Sequence, residues 1–292
     1  MSNIKQFFEQ DTVKSKFTEM LGKRAPQFLT SVLQIATSNE LLKNADPISI
    51  YNAAAVAASL DLPLNNNLGF AYIIPYNAKQ KDGTWKTVAQ FQIGYKGFIQ
   101  LAQRSGQFQT ISSKPIYEGQ ITDSDSFEGF EFNWKGKTSE KIIGYAAYFR
   151  LLNGFEKILY MSVEQLKSHG LKFSKTYSNE KTRKSSLWEN DFESMAQKTV
   201  IKLLLSKFAP LSIEMQRAVI TDQSVIHDVD DMSDVTYIDN ETPVIDKKHE
   251  RVRLFIEQAK TIDELDAIYE QVPEELDELF LTKKEQLTNG KH

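Results

Sequence analysis

The chain has 292 residues, 41% of them hydrophobic and 18 of them Phe, so it fits one large domain, or one domain and a small one, with a substantial core. It has no Cys, which excludes disulfides and thiolate zinc sites, and its first residues lack a signal-peptide pattern, so we expect a cytoplasmic protein. The net charge of −4 conceals a split: residues 1–210 contain 26 Lys and Arg against 19 Asp and Glu (+7), whereas residues 211–292 contain 9 against 20 (−11).

The region from residue 12 to residue 60 is predicted to be helical, since Phe28, Val32 and Ile35 fall on one face at helical spacing. Asp46 followed by Pro47 is typical of a helix start, with a capping side chain and then proline at the first helical position. The helix over 47–60 is rich in alanine. It is therefore predicted to pack closely against a neighbouring element, and it could lie between subunits.

A β-hairpin is predicted after the loop that contains Pro63 and Gly69. Its strands are "FAYII" and "TVAQFQI", and Asp82-Gly83 is a strong turn signal between them. The tip of this hairpin is basic, with the lysines Lys79, Lys81 and Lys86.

The stretch "QIGYKGFIQLAQRSG", residues 92–106, predicts the end of a strand followed by a helix. Its apolar face, which we expect to be buried, comprises Tyr95, Phe98, Leu101 and Ala102. Its other face carries cations and amides, namely Lys96, Gln100, Gln103 and Arg104. Gly94 and Gly97 would let another backbone or a phosphate approach the helix start, where free N–H groups favour an anion. The alternative is a solvated face with glycines that serve packing alone.

Several β segments are predicted next, over residues 108–117, 127–134, 141–152 and 155–161. Asn153-Gly154 predicts a tight hairpin turn between the last two. Ser162 and Gln165 form a capping-box pattern that opens a short helix. Ser186 and Glu189 repeat this pattern and are predicted to open a long helix that Pro210 ends.

A basic loop lies between these two helices. It interleaves Phe173 and Tyr177 with five cations, Lys172, Lys175, Lys181, Arg183 and Lys184. Single-stranded DNA requires positive charge for its backbone and flat faces for its bases, so this pattern favours a single strand. A mobile lysine-rich loop is the alternative interpretation.

The long helix carries Lys198 and Lys202 one turn apart, with Lys207 beyond them. Two ammonium groups at this spacing repel by a few tenths of a kcal/mol unless an anion lies between them. Ordinary solvation absorbs so small a repulsion, so this spacing alone decides nothing. Our hypothesis is that DNA phosphates contact both lysines, in which case replacing both with Ala would weaken DNA binding and flatten its salt dependence.

The acidic charge is concentrated near the C-terminus. Residues 222–246 contain eight acidic residues and no Lys or Arg. We predicted a core over 1–215, a flexible acidic linker over 216–246, and a small helical partner-binding module over 247–292. The expected fold class is α+β, with a small antiparallel sheet and hairpin core packed with helices.

The usual catalytic motifs are missing. The sequence has neither of the glycine-rich phosphate loops of nucleotide-binding proteins, and its four histidines have no metal-ligand spacing. Clustered aspartates at 228–234 are better explained by a solvated linker than by a metal site. A second acidic patch, Asp123, Asp125 and Glu128, leaves a metal-dependent nuclease open.

Three blocks of the sequence resemble the RecT family of phage and prophage single-strand annealing proteins. They are "LPLNNNLGFAYIIPY", "FQIGYKGFIQLAQRSG" and "MAQKTVIKLLLSKFAPLS", and the resemblance covers about residues 12–215. It implies a recombinase that binds single-stranded DNA and anneals complementary strands without ATP, in a homo-oligomeric ring or filament. It also implies an annealed duplex intermediate, a partner 5′→3′ exonuclease, possibly a host single-strand binding protein, and a bacterial cytoplasm.

Strand annealing makes and breaks no covalent bond, which explains why catalytic groups are missing. We predicted no catalytic residue, no membrane partner, no bound cofactor and no metal site on the protein, although Mg²⁺ could accompany the DNA. The matching positions in the family motif include Tyr72 and Tyr95. The complete set of predicted DNA-binding residues is Tyr72, Lys79, Lys81, Lys86, Tyr95, Lys96, Gln100, Gln103, Arg104, Lys172, Lys175, Arg183, Lys198, Lys202 and Lys207.

Two other functional classes stay open. One is the metal-dependent nuclease. The other is a structural or adaptor protein that acts through its C-terminal module. Annealing by a chain that ends near Ser212 would argue against the adaptor.

Overall fold

A computed structural model describes residues 3–79, 83–125, 129–228 and 235–237, together with positions 256, 262, 280, 281, 283, 284 and 287. The side chains at 79, 123–125 and 129 lie outside this description. The chain divides into two compact units, Met1–Asn240 and Glu241–His292. The predicted helical module over 247–292 therefore lies almost entirely outside the described residues.

The first unit is an α+β fold, as predicted. Its described helices are α1 (Asn3–Phe8), α2 (Asp11–Leu21), α3 (Ala25–Ser38), α4 (Glu40–Lys43), α5 (Pro47–Ser59), α6 (Tyr95–Arg104), α7 (Val163–Phe173), α8 (Lys175–Ser178), α9 (Leu187–Asn190), α10 (Phe192–Phe208) and α11 (Ile213–Thr221). Its described strands are β1 (Ala71–Lys79), β2 (Trp85–Ile93), β3 (Phe108–Tyr117), β4 (Ile121–Asp125), β5 (Gly129–Phe132), β6 (Ile142–Leu151), β7 (Glu156–Ser162), β8 (Val225–Ile226) and β9 (Val235–Thr236).

Helix α5 is held in place by the cap that the sequence predicted. The Asp46 carboxylate accepts a hydrogen bond from the Ile48 N–H, and Pro47 occupies the first turn. The alanine-rich stretch from Ala53 to Ala58 is buried within the chain, with at most 4% of any residue exposed. This helix therefore packs inside the fold, and the suggestion that it lies between subunits is wrong for this stretch.

Strands β1 and β2 form the predicted hairpin, paired antiparallel from Ala71↔Ile93 to Lys79↔Trp85. The predicted turn at Asp82-Gly83 lies partly outside the described residues. The outer edge of β2 is covered, because its N–H groups at Ala89, Phe91 and Ile93 donate to Ser49 Oγ, the Ser224 carbonyl and Asp222 Oδ1. Pro75, on β1, pairs with Ala89 on β2, whose N–H points away from β1. It therefore sits at a position whose missing N–H would have faced away from β2.

A second sheet has the strand order β3-β6-β7, antiparallel throughout, and its inner face packs on α10 and α7. Alternate residues of β6 divide between the two faces, with Tyr145 and Phe149 on the inner face and Tyr148 on the outer face. The predicted capping box at Ser162 and Gln165 opens α7, with both reciprocal hydrogen bonds formed.

The predicted long helix differs at its start. Ser186 caps only the short helix α9, and Asp191 then caps α10 separately by accepting from the Ser194 N–H. Two competing caps five residues apart therefore replace one continuous helix.

The first part of the predicted acidic linker, residues 216–228, is structured. Residues 213–221 form α11, whose Met215 and Ala218 are buried, and Val225 and Ile226 join the core as β8. Residues 216–228 thus pack in the first unit. A chain that ends near Ser212 would lose this packing, so the adaptor hypothesis is better tested with a chain that ends after Tyr237.

Candidate nucleic-acid interface

The two glycines of the predicted helix start serve close backbone packing. A Cβ on Gly94 would lie 2.1 Å from the Gly69 carbonyl oxygen, and one on Gly97 would lie 2.3 Å from the Phe70 carbonyl oxygen. The loop before β1 therefore lies directly against the start of α6. Of the two predicted roles for these glycines, the structure supports approach by another backbone.

The polar face of α6 is only partly free. Lys96 and Gln103 are exposed, as predicted. Arg104 donates to the carbonyl oxygens of Leu60 and Asp61 and lies 3.5 Å from the Asp61 carboxylate, so it fastens α6 to the end of α5. Gln100 is partly buried, and its Oε1 has no hydrogen-bond partner among the described residues. Lys96 and Gln103 therefore remain the predicted contacts available on this face.

Tyr72 and Lys96 lie together beside Gly69. The Tyr72 hydroxyl is 3.2 Å, and the Lys96 Cδ 3.5 Å, from the position of a Cβ on Gly69. Burial raises the pKa of the Tyr72 hydroxyl, and the negative charge of Asp191 and the neighbouring Tyr95 add to this effect. Tyr72 therefore stays neutral at physiological pH and keeps its hydroxyl proton for hydrogen bonding.

Lys198 and Lys202 have a partner that the sequence did not indicate. Their Nζ atoms each lie 2.8 Å from the Asp222 carboxylate, one on Oδ1 and the other on Oδ2. The side chains of Asp222 and Lys198 are 0% and 6% exposed, whereas Lys202 is 26% exposed. The anion between the two lysines is thus an aspartate of the same chain, and we leave Lys198 out of the proposed interface.

Burial alone would raise the pKa of the Asp222 carboxyl, but the ammonium groups of Lys198 and Lys202 hold it below its ordinary value. Asp222 Oδ1 also accepts from the Ile93 N–H at the end of β2. One buried carboxylate therefore joins α10, β2 and the segment after α11.

A groove of about 420 Å³ lies between the β1–β2 hairpin and the segment 174–188. Its lining is rich in neutral hydrogen-bonding side chains, and among the described residues that line it none is charged. The polar members are Tyr76, Asn77, Thr87, Gln92, Ser174, Thr176, Thr182, Ser185, Ser186 and Gln223. Trp188, Ile74 and Pro75 supply apolar surface. Two segments that the sequence singled out, the hairpin and the basic loop, therefore face one another.

Cations flank this groove. Lys175 and Arg183 adjoin lining residues in the chain, and Lys172 lies one turn earlier on α7. The Arg183 guanidinium lies 5.5 Å from the centre of the Tyr177 ring, and its Nε donates to the Tyr177 carbonyl. Arg183 thus holds the loop in shape, while Lys172, Lys175 and Lys184 are exposed.

The remaining predicted contacts are dispersed. Lys86 forms an ion pair with Asp46 at 3.0 Å, and Lys207 is exposed near the end of α10. Lys81 and the Lys79 side chain lie outside the described residues.

Comparison with known proteins places the chain in a family. The family model described as "RecT family" matches residues 26–237. The chain belongs to the RecT family. It is 32% identical to "Protein RecT" of Escherichia coli (strain K12) over 264 residues, which cover 85% of this chain and 90% of that protein. It is also 42% identical to "Uncharacterized protein YqaK" of Bacillus subtilis (strain 168) over 230 residues, 78% of this chain and 75% of that protein.

Family membership makes this chain a recombination protein of the single-strand annealing class. The match ends at residue 237, close to the last residue of β9, so it includes α11, Asp222 and β8. Sequence reasoning missed Asp222 and the hydroxyl groups of the groove. The small repulsion between Lys198 and Lys202 was the one feature of the sequence consistent with an anion between them, and it did not identify Asp222.

The nuclease alternative rests on the side chains of Asp123, Asp125 and Glu128, which lie outside the described residues. Across the described part of the RecT-family chain, no three His, Asp or Glu side chains come together as metal ligands. Likewise, no helix within the described ranges is long and apolar enough to cross a membrane.

His169 provides a pH-dependent test of the packing behind the groove. Its ring lies 4.5 Å from Phe173 and 6.1 Å from Trp188, a groove residue. Burial, together with the nearby charges of Lys202 and Lys172, lowers the pKa of His169 to about 4.

We expect His169 to destabilise the fold as the pH falls from about 6.5 to about 4, because only the unfolded chain binds its proton in this range. The urea concentration at half-unfolding should decrease from pH 7.5 to pH 5.0, and this decrease should be smaller for His169→Phe than for the wild type. His227→Gln is the control, since His227 is exposed. Equal losses in wild type and His169→Phe would contradict the assignment.

Proposed function

We propose that this protein binds single-stranded DNA in the groove between the β1–β2 hairpin and the segment 174–188, and anneals it to a complementary strand without nucleotide hydrolysis. The observation that carries the proposal is that this groove faces the basic loop and is lined by neutral polar side chains, with no charged side chain among the described lining residues. The hydroxyl protons of Thr87, Thr182, Ser185 and Ser186 are donated within the chain, so side-chain amides such as that of Asn77 are the donors that we propose for phosphate oxygens. Such contacts do not read bases. Base edges then stay available for pairing, and Watson–Crick pairing supplies the sequence specificity.

Cations around the groove provide the long-range attraction. Lys172, Lys175 and Lys184 are exposed on one side, and Lys96 lies beside Tyr72 on the loop side of α6. Phosphate binding by such lysines releases counterions, so affinity should fall steeply with salt concentration. Tyr72, which is half-buried, offers a flat surface, which suits bases of any sequence.

We further propose that copies assemble on DNA as a ring or filament, with the annealed duplex as an intermediate. The C-terminal unit, Glu241–His292, is the proposed contact for a 5′→3′ exonuclease or a host single-strand binding protein in the bacterial cytoplasm. Mg²⁺ would act on the DNA, without a dedicated protein site.

The test is fluorescence annealing of complementary oligonucleotides in the absence of nucleotide, with electron microscopy of the product. Wild-type protein should accelerate annealing well above the spontaneous rate. An unaccelerated reaction, or one that requires ATP, would reject the proposed function.

The location of the groove is tested by the triple variant Lys172→Gln, Lys175→Gln and Lys184→Gln. Each lost phosphate contact should reduce the log–log slope of affinity against salt by about 0.7 for a single strand, so the triple variant should lose up to about 2. The matched control is Lys14→Gln with Lys23→Gln, since both lysines are exposed on the N-terminal helical region. If triple variant and control have the same slope as the wild type, the strand does not bind at this groove.

A further inference from the structure

The outer face of the β3-β6-β7 sheet carries a second concave surface, separate from the groove. It has a volume of about 640 Å³, and its lining includes Ser112, Lys114, Trp134, Tyr148, Glu156 and Ile158. The strand pairs Ser112↔Tyr148 and Tyr148↔Ile158 place these residues side by side across the three strands. The groove is built from β1, β2 and the segment 174–188, so the two surfaces share no lining residue.

Trp134 is the main feature of this surface. Trp134 is 47% exposed, although large aromatic residues usually lie inside a fold. One face of its ring stacks on Phe132, with 5.0 Å between centres and 6° between planes. Above the other face lies the Lys114 ammonium, 3.6 Å from the ring centre. An exposed indole is thus held rigidly from behind, and only a flexible lysine covers its front.

The described lining of this surface carries a net positive charge, because it contains the two lysines Lys114 and Lys157 and a single carboxylate. Lys114 is exposed, and neither lysine has a carboxylate partner among the described residues. Glu156 is the one carboxylate in the described lining. It accepts a hydrogen bond from the Tyr148 hydroxyl at 2.6 Å and lies 3.9 Å from Arg150, but it is exposed, so its negative charge still acts on a strand that approaches this surface. Flat aromatic surface and uncompensated cations on an open sheet are the elements that recognise single-stranded nucleic acid.

We propose that this sheet face binds the second, incoming single strand during annealing, while the groove holds the first. The inference rests on the proposed function. A base would stack on the front of Trp134, and the displaced Lys114 ammonium would then pair with a backbone phosphate. In the free protein, the Lys114 ammonium occupies the ring face that a base would cover in the complex, and cation–π attraction holds it there. Because stacking is indifferent to base identity, this surface would accept any sequence.

The experiment separates the two binding events. A fluorescein-labelled oligonucleotide reports first-strand affinity by anisotropy, and energy transfer to a labelled complement, added to the preformed complex, reports second-strand capture. Trp134→Ala and Lys114→Gln should leave first-strand affinity within about twofold of the wild type and slow capture about tenfold, as loss of one stacked base predicts. Trp134→Phe, which keeps an aromatic ring on Phe132, should give an intermediate rate.

Glu156→Gln provides a test of opposite sign. Removing the one described carboxylate from this surface should speed capture, and the gain should shrink as salt is added. Lys14→Gln is the control for a lysine elsewhere. Urea midpoints and light scattering on every variant show that folding and assembly are kept.

The results that differ from these expectations distinguish the second-strand site from the proposed function. Unchanged capture in Trp134→Ala and Lys114→Gln would overturn the second-strand site while leaving the proposed function intact, since the wild type still anneals. Equal losses of first-strand affinity and capture would show that the two surfaces are one site. Loss of assembly by light scattering would make this face a contact between copies. Failure of the wild type to anneal would instead reject the proposed function itself.

Discussion

Replacing Asp222 with alanine should lower the free energy of unfolding by about 3–5 kcal/mol, the range observed when one partner of a buried ion pair is removed. The variant leaves the Lys198 ammonium buried with no opposing charge, and it deprives the Ile93 N–H of its acceptor. Urea denaturation followed by circular dichroism measures the loss. Glu180→Gln, which removes an exposed carboxylate, should change stability by less than about 0.5 kcal/mol.

A double variant distinguishes charge from packing. Asp222→Asn keeps an oxygen for the Ile93 N–H, and adding Lys198→Met removes the unpaired buried charge. The double variant should therefore be more stable than Asp222→Asn alone. If Asp222→Asn and Glu180→Gln cost the same, the buried cluster does not stabilise the fold.

The same carboxylate predicts acid sensitivity. Since the pKa of Asp222 is lower in the folded than in the unfolded chain, its contribution is complete above the ordinary value near 3.8 and is lost as the pH falls through the folded value. Wild type and Asp222→Asn should therefore converge in stability at low pH.

Replacing Gly94 with alanine should cost about 3 kcal/mol, at the upper end of the range for overpacking. The new methyl group would lie 2.1 Å from the Gly69 oxygen, a backbone atom that cannot turn away as a side chain could. Gly94 itself has φ −79°, which alanine adopts readily, so the cost is steric. The loop before β1 must move, and with it the arrangement of Tyr72 and Lys96.

Gly106→Ala is the matched control. Gly106 has φ +68° and open space around it, so its alanine variant carries only the conformational cost of about 1–2 kcal/mol. Urea midpoints should rank the wild type first, then Gly106→Ala, then Gly94→Ala. DNA affinity should fall in Gly94→Ala and stay near the wild-type value in Gly106→Ala. If Gly94→Ala were instead more stable than Gly106→Ala, the loop that contains Gly69 would move at little cost, and its close contact with Gly94 would contribute little to stability.

Local patterns predicted most of the secondary structure. Alternation and turn residues predicted the β1–β2 hairpin and strands β3, β6 and β7, because each signal lies within a few residues of the element it specifies. The capping residues Asp46 and Ser162 likewise act on neighbouring N–H groups. Fold class and family were therefore readable from the chain alone.

The candidate site was only partly predictable, for physical reasons. Asp222 follows Lys198 by 24 residues and sits in a stretch whose composition predicts a solvated linker, so no local pattern reveals that it is buried. The hydroxyl groups of Ser174, Thr182 and Ser185 have the composition of any surface loop. Only the folded chain shows that they face Asn77 and Gln92 across a groove.

If copies assemble side by side on DNA, as proposed above, open strand edges could pair with one another, and the hairpin limits this risk. With the outer amides of β2 already engaged and Pro75 in the open margin of β1, neither side of this ribbon offers a continuous row of donors to a neighbour's strand. This hairpin would therefore contribute side chains, and not a ladder of backbone hydrogen bonds, to a contact between copies, which favours reversible association over amyloid-like pairing.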